Sequence, residues 1–157
     1  MGVDIMETTL ILFKPDAIDK GVVGTVLARF EANGFQIKGL KMLPLTSELL
    51  NEHYGHISDR PFFPKLAEFM TSTPVIALAL SGENVINTVR NLIGATDSTK
   101  ADKRSIRGAM GTNSMYNICH ASDSPEAAEV ELKRFFKEEE LFLQPFEVPC
   151  HEAPVAE

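Results

Sequence analysis

Six consecutive apolar residues, Val75-Ile-Ala-Leu-Ala-Leu80, place the strongest constraint on how this chain folds. The run is far shorter than the roughly 20 residues that cross a bilayer. It has no polar position, so neither face of a strand built from it can meet water. The reading is a central strand, opened after Pro74, closed at Gly82 and covered on both sides.

The flanking sequence supplies the cover. Thr8 to Phe13 is a second short apolar strand, ended by Lys14-Pro15-Asp16 because proline has no amide for a ladder. Between Gly21 and Asn33, Val23, Val26, Leu27 and Phe30 follow the spacing of an amphipathic helix, with Gly34 placed to cap it. Phe35 to Leu45 alternates as a strand, and its phase changes near Gly39 as at a bulge. Glu48 to Ile57 and Arg60 to Met70 read as helices, as does Glu83 to Ile93, which Gly94 stops. Ala95 to Ser114 has no sustained period, and a loop of that length within a compact domain points to function. Met115 to His120 is expected as a short strand. Ser124-Pro125-Glu126 then provides an N-cap, an N1 proline and an acidic first turn for a helix to Lys137.

Two strand-helix-strand halves in this order predict an α+β, ferredoxin-like split βαβ sandwich. It would have a four-stranded antiparallel sheet, helices packed on it and one long functional loop. A doubly wound parallel sheet is the rival, and it needs more strands. The 157 residues are read as one domain, residues 1–157, with an irregular tail from about 144.

Charge narrows the function classes. A net charge of −7 opposes general binding to nucleic acid or to anionic membranes. The first residues hold Asp4 and Glu7 and no basic segment, so no signal peptide is expected. Cys119 and Cys150 make no disulfide framework, and a reduced cytoplasmic protein is the plain expectation. The usual phosphate loops, G-x-x-x-x-G-K-[ST] and G-x-G-x-x-G after a strand, are absent. So are the nucleophile elbow and the H-E-x-x-H zinc motif. His53-Tyr-Gly-His56 is read as a helix face rather than a metal pair.

What remains is polar residues at element ends: Lys14 after the first strand, Arg90 beside a helix, Arg107 in the loop and His120 near a strand. Singly, such residues are more often solvated surface than a site. Brought together, three cations around one imidazole would suit a polyphosphate, because Arg holds phosphate by paired charge-assisted hydrogen bonds.

Taken in order, several segments resemble the nucleoside diphosphate kinase family from about residue 8 to about residue 143. They are Leu12-Phe-Lys-Pro-Asp-Ala17, Arg29-Phe-Glu, Gly34-Phe, Glu52-His-Tyr and Asp59-Arg-Pro-Phe-Phe63. Gly94-Ala-Thr96, Ile106-Arg-Gly108 and Asn117-Ile-Cys-His-Ala-Ser-Asp-Ser124 follow. The last resembles the family signature N-x-x-H-[GA]-S-D. The resemblance implies transfer of a γ-phosphoryl group from a nucleoside triphosphate to a nucleoside diphosphate, ping-pong, through a phosphohistidine on His120. Glu131 would hold the other ring nitrogen. Lys14 would contact ribose and γ-phosphate, Tyr54 would sit near the phosphoryl group, and Arg90, Thr96 and Arg107 would bind phosphates. Asn117 would reach the ribose and position Lys14. Phe62 would stack on the base, with Leu66 beside it and Ser114 opposite. Mg2+ would be held mainly by the nucleotide's phosphates, so no protein metal ligands are expected. A homo-oligomer, tetramer or hexamer, is implied.

The chain departs from the family pattern at Asp97-Ser98-Thr99, where Asn-Pro-Ala is common, and at Ala109 and Ser114. These changes bear on the loop and its subunit contacts. The alternatives are a non-catalytic ferredoxin-like module binding a small ligand or RNA, and a phosphohistidine relay without nucleotide specificity. An RNA-reading sheet would need exposed aromatics and a basic surface, and the strands here are aliphatic.

Overall fold

The computed structural model describes residues 6–149. Its elements are β1 (Met6–Phe13), α1 (Pro15–Asp19), α2 (Val23–Ala32), β2 (Gln36–Leu43), α3 (Ser47–Tyr54), α4 (Phe63–Met70) and β3 (Val75–Glu83). They continue with α5 (Val85–Ile93), α6 (Ile106–Met110), β4 (Cys119–Ala121) and α7 (Pro125–Phe135). Single 3-10 turns follow α3 and α7.

The four strands form one sheet in the order β2-β3-β1-β4, and every neighbouring pair is antiparallel. This is the predicted ferredoxin-like α+β sandwich, with the apolar run of β3 at an interior position. Alternation along the two inner strands explains why that run has no polar face. Ile11 and Phe13 of β1 and Leu78 and Leu80 of β3 pack under α2 and α5, against Phe30, Val89 and Ile93. Leu10, Leu12, Ala77 and Ala79 point the other way, beneath α3, α4 and α7, against Leu50, Leu66, Phe69 and Phe135. Each face therefore buries its own core. The bulge expected near Gly39 lies between Ile37 and Gly39, where the pairing of β2 with β3 shifts register.

Three expectations are corrected and a fourth is extended. First, β3 does not close at Gly82: it runs to Glu83, and Gly82 pairs with Glu7. Glycine is required there by contact, since a Cβ would strike the ring of Phe35. Second, the long loop contains α6, capped by Ser105, whose hydroxyl accepts from the Gly108 amide. Third, the last strand is only Cys119–Ala121, because Ile118 has a φ of 79° and breaks the extended run before it. Fourth, Lys14-Pro15-Asp16 does end β1, but Pro15 also begins the short helix α1. The described part of the expected tail, 144–149, has no regular structure.

Replacing Gly82 with alanine is expected to destabilise the protein by about 1–3 kcal/mol, as overpacking against the Phe35 ring. Urea unfolding of the two proteins measures it, and equal midpoints would remove that contact from the account.

Candidate active site

Sheet pairing assembles the site. Leu12 of β1 lies opposite His120 of β4, so the last residues of β1 and the start of β4 run side by side. Opposed residues point to the same face. His120 therefore faces α3 and α7, as Leu12 does. Two backbone contacts fix this junction. The Lys14 amide donates to the Ile118 carbonyl at 2.9 Å, and the Ile118 amide donates to Oδ2 of Asp16 at 3.0 Å. Ile118 is fully buried, and its left-handed backbone is costly for a β-branched residue. The clamp from both sides holds it there.

His120 Nε2 lies 2.5 Å from Oε1 of Glu131, which is itself 7% exposed. A buried carboxylate accepts, so the ring proton is on Nε2 and Nδ1 keeps its lone pair. Nδ1 makes no hydrogen bond among the described residues. The same Glu131 oxygen accepts from the Ser122 hydroxyl at 3.1 Å.

Lys14 is buried beneath this corner. Its Nζ donates to Oδ1 of Asn117 at 2.7 Å. The amide group of Asn117 donates in turn to the carbonyls of Thr96 and Ser114, tying the strand end, the loop and the segment that carries His120 together. Burial, and then the charge of Arg107, hold the Lys14 ammonium down to about 8. Arg107 spends three of its N–H groups on the carbonyls of Asn117, Gly94 and Cys119, at 3.3, 3.2 and 2.7 Å. A guanidinium has five donors, so two remain for a ligand. Arg90 is exposed and donates to the Ala121 carbonyl at 3.2 Å.

The Tyr54 hydroxyl is buried and has no hydrogen-bond partner among the described residues. Burial, and then the charge of Glu131, push its ionisation above the ordinary phenol range, so it remains a donor. A buried donor on a cleft wall is placed to meet an acceptor oxygen. Cys119, by contrast, is fully buried with its thiol pushed up to about 11 by burial, which makes it inert as a nucleophile.

A cleft of about 570 Å³ collects these groups. Lys14, Tyr54, Arg90, Thr96, Arg107, Asn117 and His120 line it. Phe62, Leu66 and Ser114 line it too, and Phe62 is half-exposed at the N-terminus of α4 while Leu66 is buried. Of the eleven candidate residues, only Glu131 is outside the lining, behind the histidine. A larger cleft, about 720 Å³, lies beside α1 and α4 and lacks the histidine and all three of these cations. The smaller one joins the His120 imidazole to Lys14, Arg90 and Arg107, and another cleft of about 540 Å³ takes His120 together with His53 and Arg134.

A family model described as nucleoside diphosphate kinase matches residues 7–141. The chain belongs to the nucleoside diphosphate kinase family. A nucleoside diphosphate kinase of Parabacteroides distasonis is 44% identical over 137 residues, 87% of this chain and 90% of that one. One from Carboxydothermus hydrogenoformans is 46% identical over 136 residues, 87% and 91% of the two chains. Among solved structures, the Aquifex aeolicus nucleoside diphosphate kinase superposes with a TM-score of 0.82 at 48% identity, covering 87% of this chain and 99% of that chain. The Halobacterium salinarum nucleoside diphosphate kinase in complex with CDP gives 0.86 at 36%, covering 92% and 95%.

In this member of the family, four neighbours of the site carry no role in what the resemblance implies. Ser122 supports Glu131, Asp16 holds Ile118, Asp123 lines the cleft, and His53 packs against His120 with ring centroids 4.6 Å apart. All four fall inside or beside the segments that carry the resemblance, so the signal was present without a role attached. His53 and His56 do not share a face: His53 is buried and His56 exposed.

Burial, followed by the facing charges of His120 and Arg134, holds the His53 imidazole down to about 2 from an ordinary 6.5. The unfolded chain therefore takes up a proton below 6.5 that the folded protein refuses. Stability from this residue is complete above 6.5 and is lost as pH falls, by about 1.4 kcal/mol per pH unit. Thermal or urea unfolding between pH 8 and pH 5 is expected to carry this slope, and His53→Phe to lack it. Parallel curves for the two proteins would contradict the buried, neutral state of His53.

Proposed function

We propose that the protein moves the γ-phosphoryl group of a nucleoside triphosphate to a nucleoside diphosphate through a phosphohistidine at His120. The observation that carries this reading is the imidazole whose Nε2 is engaged by Glu131 while Nδ1 stays free, in a cleft with buried Lys14 and Arg107. The Nδ1 lone pair attacks the γ-phosphorus. The bond from phosphorus to the bridging oxygen breaks, and its electron pair leaves on the diphosphate. Positive charge grows on the ring and is met by the Glu131 carboxylate, while the proton stays on Nε2. The second nucleotide reverses these steps, so one pocket serves both in turn.

Stabilising charge on the moving group falls to Lys14, the two spare donors of Arg107, Arg90, the Thr96 hydroxyl and the unpartnered Tyr54 hydroxyl. Asn117 positions Lys14 and reaches the ribose. Phe62 offers a ring for stacking beside Leu66, with Ser114 across the cleft. Stacking is indifferent to base identity, which fits a broad choice of nucleoside. Mg2+, carried on the phosphates of the nucleotide, would supply charge neutralisation there. Among the described residues no three His, Cys, Asp or Glu side chains converge on one point, and Asp123 is the only carboxylate lining the cleft. That donor set suits an ion carried by phosphates and does not suit a protein-built cage.

We further infer a homo-oligomer, a tetramer or hexamer as the family resemblance implies; the exposed Leu40 and Met42 of edge strand β2 suit a contact between subunits. We read the whole chain as one catalytic domain. Among the described residues no helix is long and apolar enough to cross a membrane, and a cytoplasmic setting suits a buried free thiol.

Incubation with labelled ATP is expected to give an acid-labile, base-stable adduct that any nucleoside diphosphate removes. A His120→Ala protein that still labels and transfers would overturn the assignment. Arg107→Ala is expected to lower kcat/KM by an amount equal to at least about 2 kcal/mol, the scale of losing one preorganised charge donor. An unchanged kcat/KM would remove Arg107 from the site.

Lys14 adds a pH signature. Held to about 8 in the free protein, its ammonium is lost as pH rises, whereas a bound phosphate favours the charged form. ADP affinity measured by calorimetry is therefore expected to fall above pH 8, by up to ~10-fold per unit. Lys14→Arg should flatten the curve, because a guanidinium keeps its proton. A flat wild-type curve to pH 10 would contradict this.

A further inference from the structure

Glu131 grips the His120 ring at a single atom, which leaves the ring free to turn about that bond. A second constraint comes from α3. His53, the residue before Tyr54, is only 6% exposed and stands edge-on to His120, with planes at 88°. It stands edge-on as well to Tyr54 at 4.7 Å and to Phe135 at 5.1 Å. A ring hemmed by three perpendicular rings cannot swing without displacing one of them.

His53 is also pinned by a hydrogen bond. Nη1 of Arg134 lies 2.9 Å from His53 Nδ1. A guanidinium only donates, so Nδ1 must accept, and the one proton of a neutral ring then sits on Nε2. Arg134 is itself flanked by Glu52, with Nε 3.8 Å from Oε2. Thus Glu52, Arg134 and His53 form a chain of supports running from the surface to the ring of His120.

We propose that His53 is a positioning residue for phosphoryl transfer, whose ring, pinned by Arg134, sets the plane of the His120 imidazole and keeps Nδ1 aimed into the nucleotide cleft. This rests on the reading of His120 as the nucleophile. His53 also protects the charge balance of the step. Arg134 occupies its lone pair, so no second cation forms beside an imidazole that must gain positive charge as the nitrogen–phosphorus bond forms. The electrostatics agree: burial, His120, Arg134, His56 and Lys14 all disfavour a proton on His53. Four carboxylates line the cleft that His53 shares with His120: Glu52 and Glu131 engage Arg134 and His120, and Asp123 and Glu126 make no hydrogen bond to His53.

Two substitutions separate the ring from the anchor. His53→Asn places an amide oxygen near the Nδ1 position for Arg134 but removes the ring. His53→Phe restores a ring without an acceptor, and Arg134, partly exposed, can turn to Glu52. In single turnovers at saturating ATP, His53→Asn is expected to phosphorylate His120 at least about tenfold more slowly, as a misaimed nucleophile does. Its ADP Kd should stay within about twofold, because His53 does not line the cleft. His53→Phe should recover to within about threefold of the wild-type rate. A wild-type rate in His53→Asn, or a loss confined to Kd, would overturn the proposal.

Nitrogen-15 histidine spectra of the unmodified protein test the same claim without a variant. Between pH 5.5 and 8, His53 is expected to remain neutral with its proton on Nε2. Titration of His53 within that window would overturn the proposal. Failure of the wild-type protein to label at all would instead sink the reading of function, so the two failures are distinct.

Discussion

The antiparallel pairing of β1 with β4 is the constraint from which the site follows. It spans only three residue pairs, Ile11, Leu12 and Phe13 against Ala121, His120 and Cys119. Yet it joins parts of the chain more than 100 residues apart and turns His120 toward α3 and α7. Beyond the last pair, the backbone contact of Lys14 with Ile118 and the carboxylate of Asp16 extend the junction past the end of the ladder. Ile118 sits in a left-handed conformation that a β-branched residue adopts only when its surroundings over-determine it. The strain is local, and the two cores on either face of the sheet supply the stability that tolerates it.

Electrostatics then divides the labour inside an acidic molecule. With a net charge of −7, the surface repels polyanions, while Lys14 and Arg107 bring buried positive charge to one cleft. Burial costs each of them part of its preference for the charged form, which is why both ionise below their ordinary values. A phosphate entering between them would return that cost. Carboxylates take the complementary part: Glu131 fixes the histidine proton, and Asp16 spends one oxygen on a backbone amide. Neither competes with a phosphate in the cleft, since both sit behind the residues that line it.

Much of the fold was legible because periodicity is a local property. The apolar run Val75–Leu80 reads as an inner strand without knowledge of its partners, and Ser124-Pro125 marks the start of α7 by cap chemistry alone. The bulge near Gly39 announced itself as a change of phase. α6 was invisible because five residues are too few to show a helical period. The shortening of β4 was invisible for another reason. Ile118 is a good strand residue, and what bends it is Asp16, far away in sequence. Gly82 misled because glycine after an apolar run usually ends a strand, whereas here it makes room for Phe35. At the site, the candidate residues came from the family-like segments rather than from spacing, and ten of eleven line one cleft. His53 was missed because two histidines three apart in sequence do not reveal which of them faces His120.

The central claim is that Glu131, by taking Nε2 of His120, leaves Nδ1 as the atom that carries the phosphoryl group. Phosphorus–nitrogen coupling in the NMR spectrum of the phosphorylated, nitrogen-15 histidine-labelled protein reads that atom directly. Coupling of phosphorus to Nδ1 of His120, with Nε2 still protonated, is the result this structure predicts. Phosphorus on Nε2, or on any other residue, would contradict it.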